Sequence, residues 1–442
     1  MAALPGEDMI VNVPNGFVER SISHNSKKGQ VRTDLTEGEY PPLDKGYAWV
    51  IMAASSVNLL LASGGPNAFG VFQAYYLKVL FVDEPAEKIA WISTMTVTCS
   101  FSGGLLAGPL VKIFGMRNAS LIGTIIATAG LILASFSTQI WQLVLTQGVI
   151  YGLGSSLIMN ISLSAPALWF DKYKGFAIGV VASGGSSGAL ILVPIVTKTV
   201  SALNIQWSFR VLAILYFVFT GVSGYLLKPR KELVTDKKLV DFSSLKDPAA
   251  VMIYLVGMLL RVGFNVIVLY FPASLIDIGK SPTTSTNLIM VYSVFSSISR
   301  IVCGHYAKRL GAVNILIVFH AITGIIFLSM WYSSHRFSVY LAFYIMFGIF
   351  GVPFFSLGLL IVADYYPDEK VRQINGMSYL AMGMSILVSL PTTGVIFQKV
   401  GKRVDYSSII ILGAAAYFAS LVPLILLKRF LKQYNTNFKV KD

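Results

Sequence analysis

Apolar runs long enough to span a bilayer dominate this sequence. Twelve of them follow one another between residues 47 and 427. About 20 apolar residues are needed for an α-helix to cross the ~30 Å hydrocarbon core of a membrane. Only 13% of the residues are charged, whereas a soluble protein of this length needs far more charged surface. We therefore predict an all-α membrane protein with twelve transmembrane helices. The predicted spans are 47–76 (broken), 88–111, 118–137, 140–166, 175–197, 208–227, 249–272, 285–306, 313–332, 338–363, 372–397 and 407–427.

One long polar connection divides the twelve runs into six and six. We predict a six-helix bundle over residues 44–227, a cytoplasmic linker over 228–248 and a second six-helix bundle over 249–427. Residues 1–43 are polar and lack the apolar core of a cleavable signal peptide. They are predicted to form a disordered cytoplasmic tail, and residues 428–442 are predicted to form a short C-terminal one.

The placement of the basic residues predicts the orientation in the membrane. The formal net charge is +14, but no basic stripe with interleaved aromatic residues indicates a nucleic-acid partner. With both termini in the cytoplasm, 24 of the 35 Lys and Arg residues fall on the cytoplasmic side and 8 on the other. This asymmetry follows the positive-inside rule. We predict a multi-pass integral protein with cytoplasmic termini, in the plasma membrane or, alternatively, in a vacuolar or other internal membrane.

No side-chain pattern typical of catalysis or metal binding is found. Cys99 and Cys303 lie in apolar segments about 200 residues apart, a spacing that indicates neither a disulfide framework nor a zinc site. A membrane enzyme needs a nucleophile, a metal cluster or an acid pair at the membrane face, and none is apparent. The sequence predicts no cofactor, no metal and no enzymatic activity.

A loop motif occurs once in each half of the chain, after the second and the eighth apolar run. Both copies read G-x-x-x-K-x-x-G, offset by 196 residues, and an Asn follows three residues later. A match at the same place in each half indicates duplication. Duplicated six-helix halves with a binding site near the midplane are a recurrent transporter architecture. The matched residues are Gly108, Lys112 and Gly115, then Gly304, Lys308 and Gly311.

Twelve spans and this loop motif resemble the major facilitator superfamily, whose usual motif has Asp where this chain has Lys112 and Lys308. The resemblance implies that the two loops take part in gating. Residues 44–49 (DKGYAW) and 169–174 (WFDKYK) are similar to two signatures of the monocarboxylate porter family, particularly its fungal branch. The resemblance covers about residues 44–427. It implies the major facilitator fold, two pseudo-symmetric six-helix bundles, and transport of a monocarboxylate-class anion by alternating access. Fungal relatives broaden the implied substrates to other metabolites, including riboflavin-like aromatics.

The first apolar run contains polar amides and a helix breaker. Asn58 and Asn67 lie at membrane depth, and residues 64–66 (GGP) interrupt the helical pattern. Broken backbone at that depth is tolerated where it is packed in protein or lines a cavity, so we expect a broken helix that faces the substrate. By resemblance, Asn67 occupies the place of a substrate-interacting Lys of animal members. Two interpretations are open: a substrate contact, or an amide that bonds backbone groups freed by Pro66.

Arg261 is the most informative single residue. It lies near the middle of the seventh run, where a cation costs several kcal/mol unless it is paired or hydrated. Tyr254, Met258 and Asn265 share its helix face. The functional interpretation is an anion clamp, because a guanidinium pairs with a carboxylate in two-pronged geometry. The alternative is a structural Arg that bonds backbone carbonyls.

Arg300 is the second cation at membrane depth. Similar family members carry a substrate-binding Arg here, with an Asp one turn earlier where this chain has Ser296. The alternative for Arg300 is snorkelling toward the cytoplasmic headgroups. No Asp or Glu lies in the middle of any predicted helix, which weakens the case for proton symport, since proton-coupled carriers commonly use a buried carboxylate. His320 is expected to be a hydrogen-bonded core residue.

Three tyrosines, on the fourth, tenth and eleventh apolar runs, are further candidates. Tyr151, Tyr344 and Tyr379 have polar or aromatic neighbours at helical spacing, and they could contact a solute or simply pack. The predicted substrate-binding set is therefore Arg261, Arg300, Asn67, Asn265, Tyr151, Tyr344 and Tyr379.

The sequence thus predicts a secondary transporter for a small organic solute. The first candidate is a monocarboxylate-class anion, and the alternative is a facilitative carrier of another metabolite such as riboflavin. From a different class, a non-transporting nutrient receptor of the same fold is the rival hypothesis. The predicted partners are the solute and the lipid bilayer; an accessory membrane subunit cannot be inferred.

Overall fold

The computed structural model describes residues 40–230, 242–402 and 404–439. Most of the predicted N-terminal tail, the centre of the predicted linker and the last three residues lie outside the described residues. Helices make up the membrane part of the fold, and the described ranges contain no strand. The predicted all-α fold is confirmed.

Eleven segments are long and apolar enough to cross a membrane, and one of them contains two crossings. Glu87–Ala134 has 48 residues, about 72 Å of α-helix, more than twice the hydrocarbon thickness. Its backbone breaks at Gly115 (φ 78°, ψ 166°). The described chain therefore has twelve transmembrane helices, as the sequence predicts. They are α1 (Tyr47–Ala62 and Gly64–Tyr75), α2 (86–114), α3 (116–134), α4 (Ile140–Trp169), α5 (Lys174–Ala202), α6 (Ile205–Leu226), α7 (Pro248–Asp277), α8 (Pro282–Leu310), α9 (Ala312–Tyr332), α10 (Phe337–Tyr365), α11 (Asp368–Lys399) and α12 (Ser407–Ala419 and Leu421–Lys439).

The last glycine of each loop-motif copy has an unusual backbone conformation. Gly115 has φ 78° and Gly311 has φ 80°, and each separates the two helices of a tight pair. This region of φ is reached at little cost only by glycine. The repeat seen in the sequence therefore corresponds to a repeated turn, as expected of two pseudo-symmetric six-helix bundles, α1–α6 and α7–α12.

Replacing either turn glycine is expected to destabilise the fold. Gly115→Ala or Gly311→Ala places a Cβ on a strained backbone and should lower the free energy of unfolding by roughly 1–3 kcal/mol. Gly108→Ala is the matched control, because a Cβ at that position meets no atom within 4 Å. Thermal unfolding in detergent measures all three. Equal stability of Gly108→Ala and Gly115→Ala would show that the turn conformation is not required.

The predicted break in α1 is shorter than expected and lies slightly earlier. Only Ser63 interrupts the helix, and Gly64 to Pro66 form the first turn of its second half, where a proline needs no N–H partner. The glycines serve packing instead. A Cβ on Gly64 would lie 2.6 Å from the Cα of Gly188 on α5. The helix pair can approach this closely only with glycine on both sides.

A second break, which the apolar pattern of the sequence does not predict, interrupts α10 at residues 351–353 (GVP). Pro353 has no N–H to donate, and the N–H of Phe355 bonds to Val352, so the helix turns locally. The hydroxyl of Tyr417 donates to the carbonyl of Gly351 (2.9 Å), which satisfies an acceptor that the break releases.

The two bundles meet along α5 and α8. We call the end of the molecule that carries the α4–α5, α8–α9 and α10–α11 connections the motif side. There, a Cβ on Gly175 would lie 2.1 Å from the carbonyl oxygen of Gly304. Further along, Ser186 and Ser296 share a hydrogen bond of 2.8 Å. The structure therefore holds the two bundles together on the motif side.

Candidate functional site

Arg261 projects from α7 into an aromatic enclosure. It is 4% exposed, and its guanidinium carbon lies 4.4 Å from the centre of the Phe101 ring on α2 and 5.1 Å from that of Phe264. Both distances allow cation–π attraction. Its Nε is buried without a hydrogen-bond partner among the described residues. The structure thus places a cation at the bundle interface with its donors unused.

Arg300 projects from α8 toward the same place. It is 8% exposed, so it is buried rather than extended to the headgroups. One terminal nitrogen donates to the carbonyl oxygen of Ala182 on α5 at 2.7 Å. Its Nε is also buried without a partner in the described part of the chain. The backbone of the opposite bundle therefore orients this side chain, and part of its donor capacity stays unused.

The ring of Phe355 joins the two arginines. Its centre lies 5.8 Å from the guanidinium carbon of Arg261 and 5.2 Å from that of Arg300. Phe355 follows the break in α10, which displaces this part of the helix from regular geometry. Tyr379 on α11 stands in electrostatic range of both guanidinium groups and packs on Phe101 at 5.6 Å. We call Phe101, Arg261, Arg300, Phe355 and Tyr379 the two-arginine site.

The two arginines have no buried counter-ion in the described ranges. With His320 neutral, the buried residues of the described ranges that carry a formal charge are Arg261 and Arg300. The ion pairs found in the same ranges involve other residues, at the two ends of the membrane part. Two like charges are thus held in a low-dielectric region with aromatic faces and polar groups around them, an arrangement that favours an incoming anion.

The other predicted residues lie at varying distances from this site. Asn265 shares the α7 face with Arg261, and its amide nitrogen donates to Ser389 on α11 at 2.9 Å. Tyr344 is buried and stacks on Phe271 with ring centres 4.4 Å apart. The structure places Asn265 one helical turn from Arg261 on α7, whereas it places Tyr344 within an aromatic core of the C-terminal bundle.

Tyr151 and Asn67 belong to the N-terminal bundle. The hydroxyl of Tyr151 is fully buried and hydrogen-bonds that of Tyr216, which in turn donates to the carbonyl of Leu61. Asn67 is exposed, and its amide donates to the carbonyl of Ser63 at 3.3 Å. Both contacts are internal to this bundle, so the structure does not join either residue to the two-arginine site.

His320 is a bonded core residue, as expected. Its Nδ1 lies 2.6 Å from the hydroxyl of Ser420 on α12, and its ring packs edge-on against Tyr417 at 5.4 Å. The residue is 1% exposed. It connects α9 to α12 within the C-terminal bundle.

The two signature segments bind each other on the motif side. The carboxylate of Asp44 accepts hydrogen bonds from the backbone N–H groups of Asp171, Lys172 and Tyr173 at 3.0–3.3 Å. A carboxylate at this position also interacts favourably with the N-terminus of α5. Trp49 packs on Phe170 at 5.3 Å. The segments are far apart in the sequence, yet together they fix the turn between α4 and α5.

Two lysines connect this turn with the C-terminal bundle. Lys174 forms an ion pair with Asp364 at the end of α10 (3.6 Å). Lys308 of the second loop motif donates to the carbonyl oxygen of Asp171 at 2.6 Å. Lys112 of the first motif copy is half-buried on α2. The second motif copy thus takes part directly in the contact that closes the motif side.

The ion pair between Lys174 and Asp364 is expected to contribute modestly to stability. Both side chains are partly exposed, so a double-mutant cycle with Lys174→Gln and Asp364→Asn should give a coupling of roughly 0.2–1 kcal/mol. The exposed pair of Glu84 and Lys88, on the opposite side, is the comparison. Thermal unfolding in detergent measures both cycles. A coupling of zero in the first cycle would mean that the pair does not help to close the motif side.

Metal binding has no support among the residues that the structure describes, where no three His, Cys, Asp or Glu side chains cluster to hold an ion. Cys99 and Cys303 are both free thiols. The chemistry available in the two-arginine site is therefore the binding of an anion and the stacking of an apolar or aromatic body.

Comparisons with known proteins agree with the all-helical fold. The family model of the Major Facilitator Superfamily matches residues 56–336 and 253–439. The chain is 27% identical to the MFS transporter asaE of Aspergillus flavus, over 90% of this chain and 92% of that protein. It is 26% identical to the Fujikurins efflux protein of Gibberella fujikuroi, over 81% and 78%. The solved structure of the proton:xylose symporter XylE has a TM-score of 0.69 at 12% identity, over 85% of this chain and 94% of that one, a likeness that concerns the fold alone.

Proposed function

This chain belongs to the Major Facilitator Superfamily, and we propose that it moves a small organic anion across a membrane by alternating access. The observation that carries the proposal is the two-arginine site, in which two buried guanidinium groups lack a counter-ion among the described residues. A carboxylate matches the fork of a guanidinium. The monocarboxylate class implied by the signatures at residues 44–49 and 169–174 supplies the first solutes to test.

We propose Arg261 and Arg300 as the anion-binding residues, with Asn265 and Tyr379 beside them. The guanidinium groups belong to α7 and α8, and their neighbours include Phe101 of α2 and the backbone of α5. The site therefore contacts both bundles. A solute bound there can couple to the relative movement of the bundles, as alternating access requires.

The carrier is proposed to have both termini in the cytoplasm, which makes the motif side cytoplasmic. The positive-inside asymmetry supports this orientation. The bundle boundaries at 44–227 and 249–427 and the gating role of the two loop motifs are part of the same proposal. Contacts of Gly304 and Lys308 across the bundles support the gating role of the second motif copy.

Transport of a riboflavin-like aromatic solute is the second candidate. The aromatic rings around Arg261 favour it, since Phe101, Phe264 and Phe355 all lie within cation–π range of its guanidinium group. A planar ring system could stack in the same enclosure.

Uptake by vesicles that contain the purified protein tests these proposals. The panel contains small monocarboxylates, larger organic anions and riboflavin, and flux is measured in both directions because some relatives are named efflux proteins. Flux of an anion above that of empty vesicles is expected. Saturable binding without flux would favour a receptor of the same fold, and flux of riboflavin alone would favour the second candidate.

A further inference from the structure

The number of buried charges in the two-arginine site limits the charge of the solute. In the described part of the chain, the buried residues include two arginines and no Asp, Glu or Lys. Arg261 is surrounded by aromatic rings, and Arg300 is satisfied in part by one backbone carbonyl. Neither contact supplies a full negative charge. The site thus holds two positive charges, which water can hydrate and which a bound anion can neutralise.

The two charges are close enough to act on one solute. Both guanidinium carbons lie near the same Phe355 ring, at 5.8 Å and 5.2 Å from its centre. Their separation cannot exceed the sum of these two distances. A solute with an acidic group at each end would have to span no more than this distance to contact both guanidinium groups.

Closure of the carrier around its solute removes water from the site. A solute with one negative charge would then leave one guanidinium buried without a counter-ion, which is strongly unfavourable. A solute with two negative charges would pair with both. We infer that the preferred solute of this carrier is a dianion, such as a dicarboxylate, with one acidic group on Arg261 and the other on Arg300. This inference rests on the proposed function and specifies the charge of its substrate.

Matched pairs of acids test the inference. Proteoliposomes that contain the full chain are supplied at pH 7.5 with propionate or succinate, and with benzoate or terephthalate, so that each pair shares a skeleton and differs in charge. The dianion of each pair is expected to half-saturate uptake at a concentration roughly tenfold lower or more. Arg261→Gln should weaken uptake of the dianion about tenfold more than uptake of the monoanion, whereas Arg261→Lys should keep much of the preference.

The control is Arg336→Gln, which removes an exposed cation from the α9–α10 connection and should leave both members of each pair unchanged. Equal half-saturating concentrations for the monoanion and the dianion of each pair, measured with the wild-type protein, would overturn the inference and leave the proposed function intact. No uptake of any anion would overturn both. An equal loss for both charge classes in Arg261→Gln would also contradict the inference. If Arg261→Gln does not fold, the half-saturating concentrations of the monoanion and the dianion of each pair, measured with the wild-type protein, decide.

Discussion

Replacing Arg261 with methionine is expected to impair anion transport strongly while it stabilises the empty carrier. Arg261 is 4% exposed, and its Nε has no partner among the described residues. Removing a buried charge that has no counter-ion eliminates a desolvation cost, and a methionine of similar length keeps most of the packing. We expect the free energy of unfolding to rise by roughly 1–3 kcal/mol. Transport should fall about 10- to 100-fold or more, because the charge-assisted contact with the solute is lost.

Two measurements separate this outcome from a merely structural role. Thermal unfolding in detergent reports the stability of the empty protein, and vesicle uptake reports transport. Arg336→Met, outside the membrane part, is the control and should change neither by much. An Arg261→Met variant that unfolds at a lower temperature yet still transports would assign Arg261 to the architecture of α7 and remove it from the site.

Placing a methyl group between the bundles is expected to have the second large effect. A Cβ on Gly175 would lie 2.1 Å from the carbonyl oxygen of Gly304, and a Cβ on Gly304 would lie 2.2 Å from that of Gly175. Backbone atoms cannot yield as a flexible side chain does, so Gly175→Ala should prevent α5 and α8 from meeting on the motif side. Uptake is expected to fall by at least about tenfold, since the carrier can no longer complete its cycle.

Cysteine labelling can show where Gly175→Ala stops the cycle of the carrier. Ser183 lies in the contact between α5 and α8, and its carbonyl accepts a hydrogen bond from Ser297. The background for this test lacks Cys99 and Cys303. The thiol introduced by Ser183→Cys should react slowly with a reagent added on the motif side. Its labelling rate should rise when Gly175→Ala is also present. Gly221→Ala, where a Cβ meets no atom within 4 Å, is the matched control. Labelling and uptake equal to the parent would show that this contact is dispensable.

The sequence predicted the helices well because each is defined by a local property, its apolar length. The broken helices were harder, since a break depends on what packs beside it. At Gly64 to Pro66 the glycines suggested broken backbone, but their main role is to admit Gly188 of α5 and the hydroxyl groups near Gly65. The break before Phe355 was missed, although Pro353 was its signal.

The site was predicted only in part, for a similar reason. Arg261 and Arg300 were identified because a cation is rare in an apolar run, and Asn265 because it shares a helix face. Phe355 shares a predicted helix face with Tyr344 and is a candidate on that ground. Phe101 could not be singled out among 28 phenylalanines, since an aromatic ring in a membrane helix is ordinary until its neighbour is known. The superfamily resemblance is confirmed, and the monocarboxylate branch stays a prediction.

The contacts of Asp44 also have a consequence for biogenesis. Its N–H partners lie 127 to 129 residues later in the chain, so at a synthesis rate of ~5–20 residues per second Asp44 exists for roughly 6–25 s before the ribosome has made them. The interval is longer for Tyr47, because its hydroxyl donates to the carbonyl of Leu226 at the end of α6, which is made later. The motif-side end of α1 therefore lacks these contacts until α6 has been made. A nascent chain that stops before residue 226 should hold α1 in the bilayer by its apolar length alone, open to exchange and to quality control.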